Sequence, residues 1–238
     1  ALVLNAGLQY AGHRSPRWSA QGIELTVAVN HLAHQLLVDG LRQHTRAVVI
    51  TASEVHNPST GGGRVGQPAG LGTMEGFRQG TGAPMVDGVS PFNADKAYKD
   101  SKLCNLLMAL EISRLRPDLP VVAWSPGLVI PRTSGGFFRE SRQANPVGQA
   151  LFGFVARDLL RLTESVERAG ELLVQLINEE LQRPGFSYWS NGLMGPGRHQ
   201  FMPTQPSKEA CDSDKAMRLW TLSSDRISSL LATSNRLS

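Results

Sequence analysis

Cysteine is nearly absent from this chain of 238 residues, which holds only Cys104 and Cys211. Two thiols so far apart make no metal-ligand cluster, and the chain reads as one from a reducing compartment. Long apolar runs are missing as well. None approaches the ~20 residues of a membrane span, and none resembles a secretory signal peptide. Charged residues are sparse at 18%, and the net charge of +4 comes mostly from arginine scattered along the chain. Without a basic block the chain is not expected to bind nucleic acid, while its positive balance leaves peripheral association with an anionic membrane surface open. No internal repeat is present. No Gly-rich strand–turn–helix fingerprint is present either, because Gly61-Gly62-Gly63 neither follows a strand directly nor opens a helix in this reading.

What remains is an ordinary globular composition, 41% hydrophobic, sized for one domain spanning residues 1–238. Strand and helix signals alternate, which predicts a parallel α/β sheet. Ala1-Leu2-Val3-Leu4 is a short apolar run closed by Asn5-Ala6-Gly7. Gly22 to about Leu41 carries Leu25, Val29, Leu32, Leu36 and Leu37 at helical spacing. Ala47-Val48-Val49-Ile50-Thr51 is short and β-branched, the pattern of a buried strand. A long helix is expected from Ala94 to about Leu115, then a strand at Val121-Val122-Ala123-Trp124 stopped by Ser125-Pro126-Gly127. Glu164–Leu181 reads as an amphipathic helix and Phe186-Ser187-Tyr188-Trp189 as the last strand. A final helix begins near Ser207. Residues 57–92 and 191–206 are Gly/Pro-rich. The first is far longer than the 2–6 residues usual between a strand and a helix, so a functional loop or lid is expected there.

The densest chemistry lies at the start of the long helix. Tyr98 and Lys102 are four residues apart, about one turn, and so share a helix face. A phenol ordinarily titrates near pH ~10, and a nearby ammonium favours its ionised form. The pair therefore reads as a proton-transfer unit with Tyr98 as general acid. Cys104 lies about 200° around the helix from Lys102 and is expected to be a small packing residue on another face. Asn5, Ser53 and Pro126 each follow a strand end, where ligands bind in open α/β sheets, so they are expected to line one crevice with Tyr98. His31 and His34 are three apart, and with no third ligand evident they read as packing or hydrogen-bonding groups. No metal is expected.

This ordered pattern resembles the short-chain dehydrogenase/reductase superfamily over nearly the whole chain. The resemblance implies a Rossmann-like, doubly wound parallel sheet lacking its first βαβ unit, with the insertion at 57–92 before the catalytic helix and a C-terminal segment and helix at 191–238. It implies a catalytic set of Asn30, Ser53, Tyr98 and Lys102. In the superfamily the lysine also bonds the nicotinamide ribose, the serine orients substrate or tyrosine, and the asparagine supports a proton-relay water. Asn5, Ala6, Gly7, Pro126 and Gly127, together with Tyr98 and Lys102, would bind the cofactor.

A narrower resemblance is to the light-dependent protochlorophyllide reductase family. It rests on Ala97-Tyr98-Lys99-Asp100-Ser101-Lys102-Leu103-Cys104-Asn105, on the insertion ending Met85-Val86-Asp87-Gly88 and Phe92, on Tyr188-Trp189-Ser190-Asn191, and on the tail with Ser207, Glu209-Ala210, Asp212, Lys215-Ala216, Trp220 and Ser223. It implies NADPH as cofactor and a tetrapyrrole pigment, protochlorophyllide, as substrate. A ring double bond would be reduced by hydride from NADPH and a proton from Tyr98, driven by light. It implies a plastid or thylakoid-associated setting, and the sequence otherwise suggests a cytoplasmic one.

The chain departs from that family at Leu128, where a cysteine follows Pro-Gly, at Gln35, where a ring is usual, and at Arg132 and Gly135-Gly136. Leu128, Tyr188 and Trp189 are the candidate substrate contacts, the two aromatics alternatively being core. The missing Gly-rich turn suggests a partial sequence of a longer enzyme. Two further readings stay open: a light-independent NADP-dependent reductase of a carbonyl or alcohol, and a pigment-binding relative without catalysis. Oligomeric state is not legible.

Overall fold

The computed structural model describes residues 1–133 and 137–234; Gly135-Gly136 therefore lie outside the described residues. Five strands form one sheet in the order β1-β2-β3-β4-β5: β1 Leu2–Leu4, β2 Val48–Thr51, β3 Pro120–Ser125, β4 Gly185–Gly195 and β5 Arg198–Pro203. The first four pair in parallel and β5 returns antiparallel to β4. The helices in chain order are α1 Leu25–Val27, α2 Ala33–Leu41, α3 Gly61–Arg64, α4 Glu75–Gln79, α5 Ala94–Leu115, α6 Arg139–Ala144, α7 Pro146–Gly153, α8 Val166–Gln175 and α9 Ser213–Ser234.

Strand periodicity explains why the sheet is covered on both faces. Side chains alternate along a strand. Val48, Ile50, Val121, Ala123 and Tyr188 point to the face packed by α5 and α9. Val49, Val122, Trp124 and Trp189 point to the other face, where Leu172 of α8 and Leu176 just beyond it cover them. The expected parallel α/β architecture is thus present, with strand runs that are apolar because both sides are buried.

α5 is the central post. Asn93 caps it by accepting from the Lys96 amide at 2.8 Å. Leu103, Leu106, Leu107, Met108 and Ile112 bury one side on the sheet, while α9 packs along another. A buried leucine truncated to alanine in such a helix costs about 2–5 kcal/mol.

Five expectations are corrected. Residues 191–206 are mostly strand: β4 runs on to Gly195 and turns into β5, so Phe186–Trp189 is not the last strand. Gly61-Gly62-Gly63 does open a helix, α3, capped by the Thr60 hydroxyl. Helical structure also fills 139–159, where none was assigned. The insertion is not a free lid. Leu71, Met74, Phe77 and Val86 are buried in the main core, because a long connection can persist when it brings its own apolar side chains. The helix predicted over Gly22–Leu41 is interrupted at Ala28–Leu32 by a π turn, as is the end of the α8 rod at Leu176–Glu180. No helix among the described residues is long and apolar enough to cross a membrane.

Candidate active site

The carboxyl ends of β1, β2 and β3 converge on the first two turns of α5. At the end of β1, the Asn5 side chain accepts from the Thr51 hydroxyl at 2.8 Å, and that hydroxyl in turn accepts from the Trp124 indole at 3.0 Å. Adjacent strand ends are thereby tied laterally. Asn5 and Ala6 are exposed and Gly7 is half-buried. Gly7 lies beside Asn30 and Lys102, where a Cβ would stand in ordinary contact, 3.5 Å from Asn30 Oδ1 and 3.6 Å from Lys102 Nζ.

Asn30, fully buried at the π turn, is engaged on both ends of its amide. Oδ1 accepts from the Leu8 amide at 2.9 Å, and Nδ2 donates to Leu8 O and to the Ser101 hydroxyl, both at 3.0 Å. A π turn shifts register by one residue, and here it aims Asn30 at the strand-end loop. The side chain thereby ties Leu8 of the strand-end loop to Ser101 of α5.

Lys102, 3% exposed, donates from Nζ to Thr51 O at 2.9 Å and lies 5.7 Å from the centre of the Tyr98 ring. Burial pushes its pKa down to about 8. Tyr98 is half-buried. Burial pushes its phenol above the ordinary value, and a hydrogen bond with Ser53 pulls partly the other way. The expectation that Lys102 would lower the Tyr98 pKa is corrected: the ammonium is directed at the Thr51 carbonyl, and desolvation of the phenolate outweighs it. The phenol therefore keeps its proton at neutral pH and, by itself, is a weaker acid than one whose pKa is matched to the operating pH.

Ser53 caps a short 3-10 turn at Glu54–His56 and sits beside Tyr98. The Glu54 amide donates to the Ser125 hydroxyl at 3.2 Å, which ties this turn to the end of β3. Beyond β3, Gly127 has φ +84°, and Asn191 fixes the turn by donating to Pro126 O at 3.2 Å and to Glu164 at 3.1 Å. Leu128 joins an apolar group with Ile130, Phe137, Phe138 and Ala156. Phe137 lies on the Tyr98 ring, centroids 5.2 Å apart. Around Tyr98, then, Ser53 and Lys102 are polar neighbours, and Phe137, grouped with Leu128, is an apolar one.

Tyr188 and Trp189 are not in this group. Tyr188 is 4% exposed in the core, edge-on to His56, and Trp189 packs on Phe201 across the opposite face. Consecutive strand residues face opposite ways, so the two rings cannot grip one flat ligand together.

The outer side of α5 has a different task, one that sequence spacing did not reveal. Lys99 Nζ donates to the carbonyls of Gly63, Val65 and Gln67 in the insertion. Asp100 accepts from the Gly70 amide at 2.9 Å, and Lys96 donates to Gly70 O at 2.8 Å and pairs with Asp100 at 2.6 Å and Asp87 at 3.3 Å. Burial pushes the Asp100 carboxyl up to about 7 against the opposing pull of Lys96. His31 and His34 are packing groups as expected. The His31 Nε2 meets the Ser223 hydroxyl at 2.8 Å, and burial holds the two pKa values near 3 and 4. Gln35 is accommodated by α9, donating to Trp220 O at 3.1 Å and Ser224 Oγ at 2.9 Å. No cluster of three metal-binding side chains occurs among the described residues. The residues missed from sequence are Asn191, Glu164, Phe137 and His56. Asn191 had a signal, its place in the Tyr188–Asn191 motif, which lies within β4; the other three had none.

No protein-family model matches the chain. Among curated proteins, it is 32% identical over 237 residues to protochlorophyllide reductase A, chloroplastic, of Oryza sativa subsp. japonica, covering 94% of this chain and 59% of that protein. It is 32% identical over 236 residues to protochlorophyllide reductase of Avena sativa, covering 93% of this chain and 72% of that one. The chain thus spans little more than half of the rice protein's length. Among solved structures, an uncharacterized protein from Mycobacterium paratuberculosis superposes with a TM-score of 0.61 at 21% identity, over 95% of this chain and 66% of that one, a likeness of fold.

Proposed function

The chain belongs to the protochlorophyllide reductase family of the short-chain dehydrogenase/reductase superfamily, and from that premise we propose that it is the catalytic portion of an NADPH-dependent, light-driven reductase of a tetrapyrrole double bond. The observation that carries this reading is the convergence of Tyr98, Ser53 and Lys102 on the strand ends beside the Asn5–Gly7 loop.

The residues fit a nicotinamide nucleotide. An ammonium has three donors, and Lys102 places one on Thr51 O, leaving two for ribose hydroxyls. Asn5, Ala6, Gly7, Pro126 and Gly127 supply the backbone and amide contacts around it. When bound, NADPH supplies the hydride. Tyr98 supplies the proton to the neighbouring carbon, and Ser53 holds the phenol oxygen in line. Lys102 orients the nucleotide and offsets negative charge as the phenol ionises. Leu128, Ile130 and Phe137 give the apolar surface a flat pigment needs and exclude water from the reacting atoms.

The test is the full-length protein with NADPH and protochlorophyllide. Illumination should convert the pigment, and no conversion in light sinks the proposal. Leu128, which has no transferable proton where the family resemblance implies a thiol, favours a second reading: a reductase of a carbonyl or alcohol acting in darkness. Turnover of such a substrate without light would support that reading, and strict light dependence would exclude it.

A further inference from the structure

His56 is 1% exposed and bonds two different parts of the chain. Nδ1 lies 2.6 Å from the carbonyl oxygen of Ser53, and Nε2 lies 3.1 Å from the backbone nitrogen of Ser207. A carbonyl can only accept and an amide N–H can only donate, so Nδ1 carries the proton and Nε2 is the acceptor. Only the neutral imidazole with its proton on Nδ1 satisfies both. The Ser53 carbonyl also receives the His56 amide at 3.3 Å, so both hydrogens that His56 donates are spent on it. The ring is fixed from the side by Tyr188, edge-on at 5.5 Å between centroids. Ser207 begins the segment whose Glu209 accepts from the Leu71 amide at 3.1 Å, so the far end of the strut is anchored to the insertion.

We propose that His56 is a positioning residue for Ser53, a neutral imidazole of one tautomer that fixes the Ser53 turn against the C-terminal segment and so sets where the serine hydroxyl meets Tyr98. This rests on the catalytic reading above. Burial holding the His56 pKa down to about 4 keeps the strut neutral at physiological pH.

Two substitutions separate the two bonds. Asparagine places its amide nitrogen near the position of Nδ1, and so restores the donor to Ser53 while releasing Ser207. Glutamine reaches the position of Nε2, and so restores the acceptor for Ser207 while releasing Ser53. The chain is labelled with 3-fluorotyrosine at its three tyrosines, and the Tyr98 resonance is followed by fluorine NMR at neutral pH. Ser53→Ala defines the shift for a lost serine contact. His56→Gln should move the Tyr98 resonance to the Ser53→Ala position, and His56→Asn should leave it at the wild-type position. A His56→Gln resonance that stays at the wild-type position, or a His56→Asn resonance found at the Ser53→Ala position, overturns the proposal. If the glutamine variant does not fold, the asparagine arm still decides. On the proposed reaction, His56→Gln should lower kcat roughly tenfold in the wild-type background and no further in Ser53→Ala; equal losses in both also overturn it. The fluorine readout needs no turnover, so a failure of the catalytic reading stays distinguishable from a failure of this one.

Discussion

Lys99 and Lys102 stand three residues apart on one helix and bond in opposite directions. Lys102 reaches inward to the carbonyl at the end of β2, and Lys99 reaches outward to the carbonyls of Gly63, Val65 and Gln67. Three residues turn a helix through about 300°, yet long flexible stems let the two ammonium groups part ways. The same helical turn thus serves the cleft and fastens the insertion.

Lys99→Met should release the insertion without touching the cleft. Three carbonyls lose a charged donor, and the chain should be less stable by about 3 kcal/mol. Hydrogen exchange should rise in residues 61–70 well before it rises in β2 or β3. Unchanged protection there would show that the insertion is held by its apolar side chains alone.

Tyr98→Phe removes the acid and little else. Turnover should fall by about 10²–10⁴-fold, the usual contribution of a positioned acid. The melting temperature should stay close to wild type, since the ring and its contact with Phe137 remain. Retained turnover would assign the proton to another group.

Lys102→Met should be inactive and more stable. In the folded chain the Lys102 pKa is about 8 against an ordinary 10.5. Between those values the unfolded chain binds more protons than the folded one, so wild-type stability rises with pH through that window. Below pH 8 the penalty is fully present, and the methionine variant should be favoured there by about 3 kcal/mol. Its advantage should shrink as pH climbs from 8 towards 10.5. Denaturant titrations at pH 7 and pH 10 check both the sign and the window.

His34→Leu should blunt acid sensitivity. The folded His34 titrates near 4 rather than 6.5, with burial the larger cause and the Lys102 charge the smaller. The unfolded chain therefore gains protons first as pH falls, and stability is lost between about 6.5 and 4. With leucine, about 2 kcal/mol less should be lost across that interval. Urea midpoints at pH 7 and pH 4.5 give the comparison. An unchanged slope would place the acid sensitivity elsewhere, His31 included.

The sequence revealed the strands whose residues are apolar on both sides, Val48–Ile50 and Val121–Trp124, since nothing else explains short β-branched runs. It also revealed the Tyr98–Lys102 pair and the strand-end residues around it, because helical spacing and strand ends are local properties. β5 was hidden by its composition: Arg198–Pro203 is an edge strand with mostly exposed residues and no alternating apolar face. The work of Lys99 and Asp100 was hidden for another reason. Charges at such spacing ordinarily read as a solvated face, and these two are buried by a segment more than 25 residues earlier in the chain. The π turn at Ala28–Leu32 leaves no mark on apolar periodicity, although it decides where Asn30 points. Tyr188 and Trp189 show the limit of motif reading, since strand alternation sends the two rings to opposite sides of the sheet.

Because α5 fastens the insertion with one face and presents the acid with another, a mutational screen scored on product formation would not tell the two apart. Lys96, Lys99 and Asp100 would score beside Tyr98 and Lys102, although none of the three reaches the cleft. The long motif therefore carries two separable jobs on one helix. Scoring abundance and turnover in parallel is what would pull them apart.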